Sequence, residues 1–96
     1  MIGLMRGIVW TIGSDKVVLD VNGVGYIINT AARNTFNVKV GDEKTFFTHL
    51  IVREDDLILY GFSNAEEKDL FIKLLGVSGI GPKAALRSEE HTSELQ

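Results

Sequence analysis

Cysteine is absent from this 96-residue chain, proline occurs once and histidine twice. Without cysteine there is neither a disulfide framework nor a thiolate metal site, and His49 with His91 are too few ligands for a histidine-built zinc centre. The expected compartment is the cytoplasm, and no cofactor is expected. Long apolar runs are also missing. Nothing approaches a membrane span, and Met1 to Ile12, broken by Arg6, Gly7 and Thr11, lacks the form of a signal peptide and reads as a first strand. Positive charge is in short supply: 10 Lys and Arg face 13 Asp and Glu, a formal net charge of −3. That excludes a protein that coats nucleic acid through bulk charge, because neutralisation of phosphates by Lys and Arg drives such binding. Arg6, Lys16, Arg33, Lys39, Lys44, Arg53, Lys68, Lys73 and Lys83 are scattered, so any contact with a polyanion must be local.

What is present is 45% hydrophobic content, sufficient for one small domain with an appendage. From Met1 to Phe62 short β-prone runs alternate with turn signals. Ile2 to Thr11 is the first predicted strand. Lys16 to Val21 follows a Gly13-Ser14-Asp15 turn, and Gly25 to Thr30 follows Asn22-Gly23, a hairpin signal because both positions tolerate positive φ. After an irregular Ala31 to Val40 segment and a Gly41-Asp42 turn come Lys44 to Val52 and Leu57 to Phe62. Five strands in about sixty residues suit a five-stranded OB-fold barrel. Ala65 to Leu75 then reads as a helix with Leu70, Phe71, Leu74 and Leu75 on one face, and Ser63 with Glu66 has the spacing of a capping box.

The segment Val77-Ser78-Gly79-Ile80-Gly81-Pro82-Lys83 carries the most chemical information. Two glycines one residue apart allow a tight reversal and close approach of backbone N–H groups to a ligand, and Pro82 suits the first turn of a second helix. The helix dipole and Lys83 favour an anion there, so a phosphodiester is the natural guest. The residues assigned to phosphate binding are Gly79, Ile80, Gly81 and Lys83. A plain glycine turn between helices is the competing reading, and the preceding helix tips the balance toward a helix-hairpin-helix, a DNA-binding unit without sequence preference. The second notable feature is Arg53-Glu54-Asp55-Asp56, three successive carboxylates at a hairpin tip. On composition alone this is a solvated loop that deters edge pairing, and adjacent acids without further ligands make a poor metal cage.

Several motifs together resemble those of one family. They are Met1-Ile2-Gly3 with Arg6-Gly7, Asn22-Gly23-Val24-Gly25-Tyr26, Thr48-His49 with Val52-Arg53-Glu54-Asp55, Leu59-Tyr60-Gly61-Phe62, and Gly79-Ile80-Gly81-Pro82-Lys83. From Met1 to about Leu86 the chain resembles the N-terminal part of the RuvA family, the Holliday-junction-binding subunits of bacterial RuvAB branch-migration complexes in recombination and DNA repair. The resemblance implies an OB-fold barrel over residues 1–62, the first of two helix-hairpin-helix motifs over 63–86, a homotetramer, and binding to four-way junction DNA. It implies that Glu54 and Asp55 form an acidic pin near the junction centre, with Asp56 undetermined. ATP hydrolysis would belong to the RuvB motor, and RuvC resolvase is a further partner of the full-length family.

The resemblance stops near Leu86. The tail at 87–96, Arg87-Ser88-Glu89-Glu90-His91-Thr92-Ser93-Glu94-Leu95-Gln96, has no apolar period. It is similar, codon by codon, to a translated sequencing-adapter oligonucleotide, which implies read-through joined to a truncated gene, without the second hairpin or the domain that meets the RuvB motor. Catalysis by the chain itself is not expected. Ser14, Ser63 and Ser78 fall in predicted turns, His49 lies on a strand without an evident partner, and Gly76 to Lys83 lacks the spacing of a nucleotide-binding P-loop. The alternative that stays open is a single-strand-DNA-binding or protein-interaction OB module without junction specificity. Trp10, Tyr26, Phe46, Phe47, Tyr60 and Phe62 could supply a stacking surface, although strand position favours the core for several of them.

Overall fold

A computed structural model describes residues 2–77 and 79–86. Met1, Ser78 of the glycine hairpin and the 87–96 tail lie outside the described residues. The elements are β1 (Leu4–Ile12), β2 (Lys16–Val21), β3 (Val24–Asn29), α1 (Ala32–Phe36), β4 (Glu43–Val52), β5 (Leu57–Phe62) and α2 (Ala65–Leu75). The strands close a barrel in the order β1-β2-β3-β5-β4, with β4 returning to β1. Every pairing is antiparallel except the short β3–β5 junction, where Ile28 meets Leu59 and Asn29 meets Tyr60. That single parallel contact closes the barrel and removes the free sheet edges. The expected OB-type five-stranded barrel is therefore what forms.

Period-two alternation sorts the side chains. Met5 and Val9 of β1, Val17 and Leu19 of β2, Ile28 of β3, Phe46 of β4 and Leu59 of β5 fill the interior, and Val38 joins the same cluster. Gly61 shows how tightly β5 is held. A Cβ there would collide with the Ile28 side chain and press on Phe46, so no larger residue fits between β3 and β4. Buried Thr48 pins the start of the chain: its hydroxyl donates to Ile2 O at 2.8 Å and its backbone N–H to Gly3 O at 3.0 Å. The Asn22-Gly23 hairpin has the expected geometry, both residues at positive φ (53° and 89°).

Two local expectations change. The Ala31 to Val40 segment is not wholly irregular, since α1 occupies Ala32–Phe36; with five residues and no side-chain N-cap it leaves no periodic trace in the sequence. The helix cap sits one residue later than Ser63 and Glu66 predict. Asn64 is the N-cap, its Oδ1 accepting from Glu67 N at 2.9 Å while its amide donates to Glu67 Oε2 at 3.1 Å. Ser63 is unavailable because its hydroxyl donates to Asn34 Oδ1 at 2.8 Å. Trp10, next to inward Val9, takes the outward position of the alternation at 64% exposure, and the β1–β2 register slips between Val9 and Thr11.

A second apolar cluster lies outside the barrel. The outer face of β5 presents Tyr60 and Phe62 to Phe71 of α2 and to Ala85, with Ile51, Ile58, Leu74, Leu75, Ile80 and Leu86 around them. The Phe71 ring stands 5.0 Å from Tyr60 and 4.9 Å from Phe62 between centroids. β5 is thus covered on both faces, which is why its sequence is continuously apolar rather than alternating.

Candidate nucleic-acid interface

The acidic loop joins β4 to β5. Arg53 N donates to Asp56 O at 2.9 Å, closing a tight turn, and residues 53–56 are all exposed. The three acids differ in what they are free to do. Asp56 Oδ1 accepts from Leu57 N at 2.9 Å, so that carboxylate is engaged in its own turn. Glu54 and Asp55 occupy the apex and project negative charge outward. Among the described residues no three acids or histidines converge as metal ligands. Val52 and Leu57, the last β4–β5 pair below the loop, are 67% and 66% exposed, an apolar collar beneath an acidic tip.

The glycine hairpin follows α2. Gly76 N bonds Lys73 O and Val77 N bonds Leu74 O, ending the helix, and Ile80 N donates to Val77 O at 3.1 Å. Residues 82–86 are helical, with Pro82 in the first position and Ala85 N donating to Gly81 O at 2.9 Å. Gly79 has φ +84° and so needs glycine for its backbone, whereas Gly81 does not adopt that region. A Cβ at either would meet nothing within 4 Å. Gly79, Gly81 and Lys83 are exposed, while Ile80 is half-buried and its side chain joins the second cluster. Ile80 thereby anchors the hairpin, and its N–H is used within it.

The second cluster brings these two features into one unit. Ile51 and Ile58 form the β4–β5 pair next to the collar, and they pack in the same cluster as Ile80 and Leu86 from the hairpin segment. Acidic tip and glycine hairpin are therefore carried on one apolar seat. A family model described as the RuvA N terminal domain matches residues 1–61. The chain belongs to the RuvA N-terminal domain family. Three proteins named Holliday junction branch migration complex subunit RuvA are similar to it. That of Alkaliphilus oremlandii (strain OhILAs) is 48% identical over 85 residues, covering 88% of this chain and 44% of the relative. That of Acinetobacter baumannii (strain AYE) is 49% identical over 86 residues, covering 90% and 43%. That of Chloroflexus aurantiacus (strain ATCC 29364 / DSM 637 / Y-400-fl) is 49% identical over 88 residues, covering 90% and 45%. The chain thus spans less than half the length of these RuvA relatives.

His49, a RuvA-like motif residue, lies on β4 opposite Tyr60 with its ring edge-on to Phe71 at 6.3 Å. Burial holds its imidazole below the ordinary value of 6.5, and the Lys68 ammonium pushes the same way. This is a packing residue between barrel and α2. Sequence reasoning missed Asn34, a buried polar side chain where β3, β5 and α2 meet. Nothing in its neighbourhood along the chain marks it, because its partners are up to 33 residues away.

Proposed function

We propose that this chain binds four-way junction DNA in the manner of a RuvA subunit, holding phosphates at the glycine hairpin and repelling them at the acidic loop. The observation that carries this reading is the shared apolar seat, which couples a backbone open at Gly79 and Gly81 beside Lys83 to an exposed pair of carboxylates. Gly79, Gly81 and Lys83 would grip the backbone of a duplex arm, with Ile80 as their anchor. Glu54 and Asp55 would stand at the junction centre, where like-charge repulsion holds the strands apart. The preference that results is for junction shape and not for sequence, since neither feature reads base edges.

A homotetramer multiplies both effects, and the exposed collar of Val52 and Leu57 with the outward Leu4, Trp10 and Ile27 supplies apolar surface for assembly. Division into a barrel at 1–62 and a hairpin unit at 63–86 follows the two roles. The RuvB motor would hydrolyse ATP, this chain contributing no chemistry of its own, and RuvC would be a further partner of the full-length protein in the cytoplasm. Competition among four-way, duplex and single-stranded DNA at matched salt tests the reading. Junction preference supports it. Preference for single strands would instead favour stacking on exposed Trp10, and no DNA binding at all would leave a protein-interaction module.

A further inference from the structure

Asn34 is 3% exposed and makes three hydrogen bonds at one node. Its amide donates to Thr30 Oγ1 at 2.9 Å and to Glu67 Oε1 at 3.4 Å, and its Oδ1 accepts from Ser63 Oγ at 2.8 Å. Thr30 follows β3, Ser63 follows β5, and Glu67 lies in the first turn of α2. The same Glu67 Oε1 receives Arg33 Nη2 at 3.1 Å, its Oε2 receives the Asn64 amide, and its backbone N–H is capped by Asn64. One residue of α1 thus ties two strand ends to the start of α2.

The Phe71 packing cannot do this alone. Apolar burial is non-directional and tolerates rotation of a helix on its seat, whereas hydrogen bonds in a buried node are directional and costly to leave unmade. The geometry points to Asn34 as a positioning residue that fixes the angle at which α2 leaves the barrel, and hence where the hairpin stands relative to the acidic loop. Its consequence for DNA rests on the junction reading proposed above; its effect on α2 does not.

Asn34→Asp is isosteric, removes both N–H donors and sets a second carboxylate against Glu67. Adding Glu67→Gln removes the like-charge contact and restores a donor toward residue 34 at the loss of the Arg33–Glu67 ion pair, so E67Q alone is measured as the control. Because the chain has no cysteine, spin labels at Thr11→Cys and Ala84→Cys, both exposed positions, report the barrel-to-hairpin distance. The parent protein is expected to give a narrow distance distribution, N34D a broad one, and N34D/E67Q a narrow one again. A distribution in folded N34D as narrow as the parent's overturns the assignment. In the unlabelled protein, the junction-over-duplex preference is expected to fall several-fold in N34D and to return in the double variant. Equal loss of junction and duplex binding with an unchanged distance distribution would mark Asn34 as merely structural. If the parent shows no junction preference, the functional reading fails and the distance measurement alone decides Asn34. Should N34D not fold, Ser63→Ala, which removes only the bond to Oδ1, carries the same comparison with the same two outcomes.

Discussion

Gly79 and Gly81 stand one residue apart and answer to different demands. Gly79 is held at φ +84°, so Gly79→Ala is expected to cost about 1–2 kcal/mol of stability, the penalty of a left-handed L-residue. Gly81→Ala meets neither strain nor neighbour, so its unfolding midpoint should match the parent's while DNA affinity drops, because the methyl group stands where a phosphate would approach. Parent-like affinity in G81A, measured at fixed salt, would remove Gly81 from the cradle. His49 sets a pH dependence of known sign. Its folded-state affinity for a proton is lowered, so the unfolded chain binds more protons as pH falls through 6.5, and stability declines from there downward until the folded imidazole also protonates. Thermal melts between neutral pH and pH 5 should show this decline, and His49→Gln should flatten it.

The elements were unequally legible. β2 and β5, and α2 from Ala65 to Leu75, begin and end where the β-prone runs between turn signals and the helical period place them. α1 was invisible because a five-residue helix shows barely one turn of periodicity and has no capping side chain. Of the six aromatics offered as core or stacking surface, Phe46, Tyr60 and Phe62 are buried, whereas Trp10 follows inward Val9 and faces out. The cap moved from Ser63 to Asn64 because Asn34, remote in sequence, takes the serine hydroxyl. What holds α2 in place is chiefly Phe71, fully buried among Tyr60, Phe62 and His49. Phe71→Ala is expected to lower the free energy of unfolding by about 3–5 kcal/mol. Chemical denaturation followed by circular dichroism measures it, and a loss under about 1 kcal/mol would mean that the aromatic seat contributes little.

At the scale of the whole molecule, a net charge of −3 means that the proposed DNA binding depends on where single charges are placed. Lys83→Glu should weaken binding to junction and duplex alike and make the dependence of affinity on salt shallower by about one phosphate contact per subunit. The pair Glu54→Gln with Asp55→Asn should leave affinity intact or raise it, while altering how the junction is held open. Fluorescence anisotropy on labelled four-way and linear DNA over a salt series separates these outcomes. Unchanged junction affinity in the Lys83 variant would contradict the cradle. Asp56, bound to its own turn, is expected to matter less than its two neighbours.

Local spacing alone determined the barrel's strand sequence, the hairpin at Asn22-Gly23 and the extent of α2. Each of these depends on residues within a few positions of one another. Only the tertiary structure decided that Gly61 must lack a side chain and that Asn34 joins α1 to α2. Those outcomes depend on which distant segments meet when the barrel closes: Ile28 against Gly61, Ser63 and Glu67 against Asn34. A one-dimensional pattern records period and turn chemistry, and it holds no information about partners brought together by closure of the chain on itself.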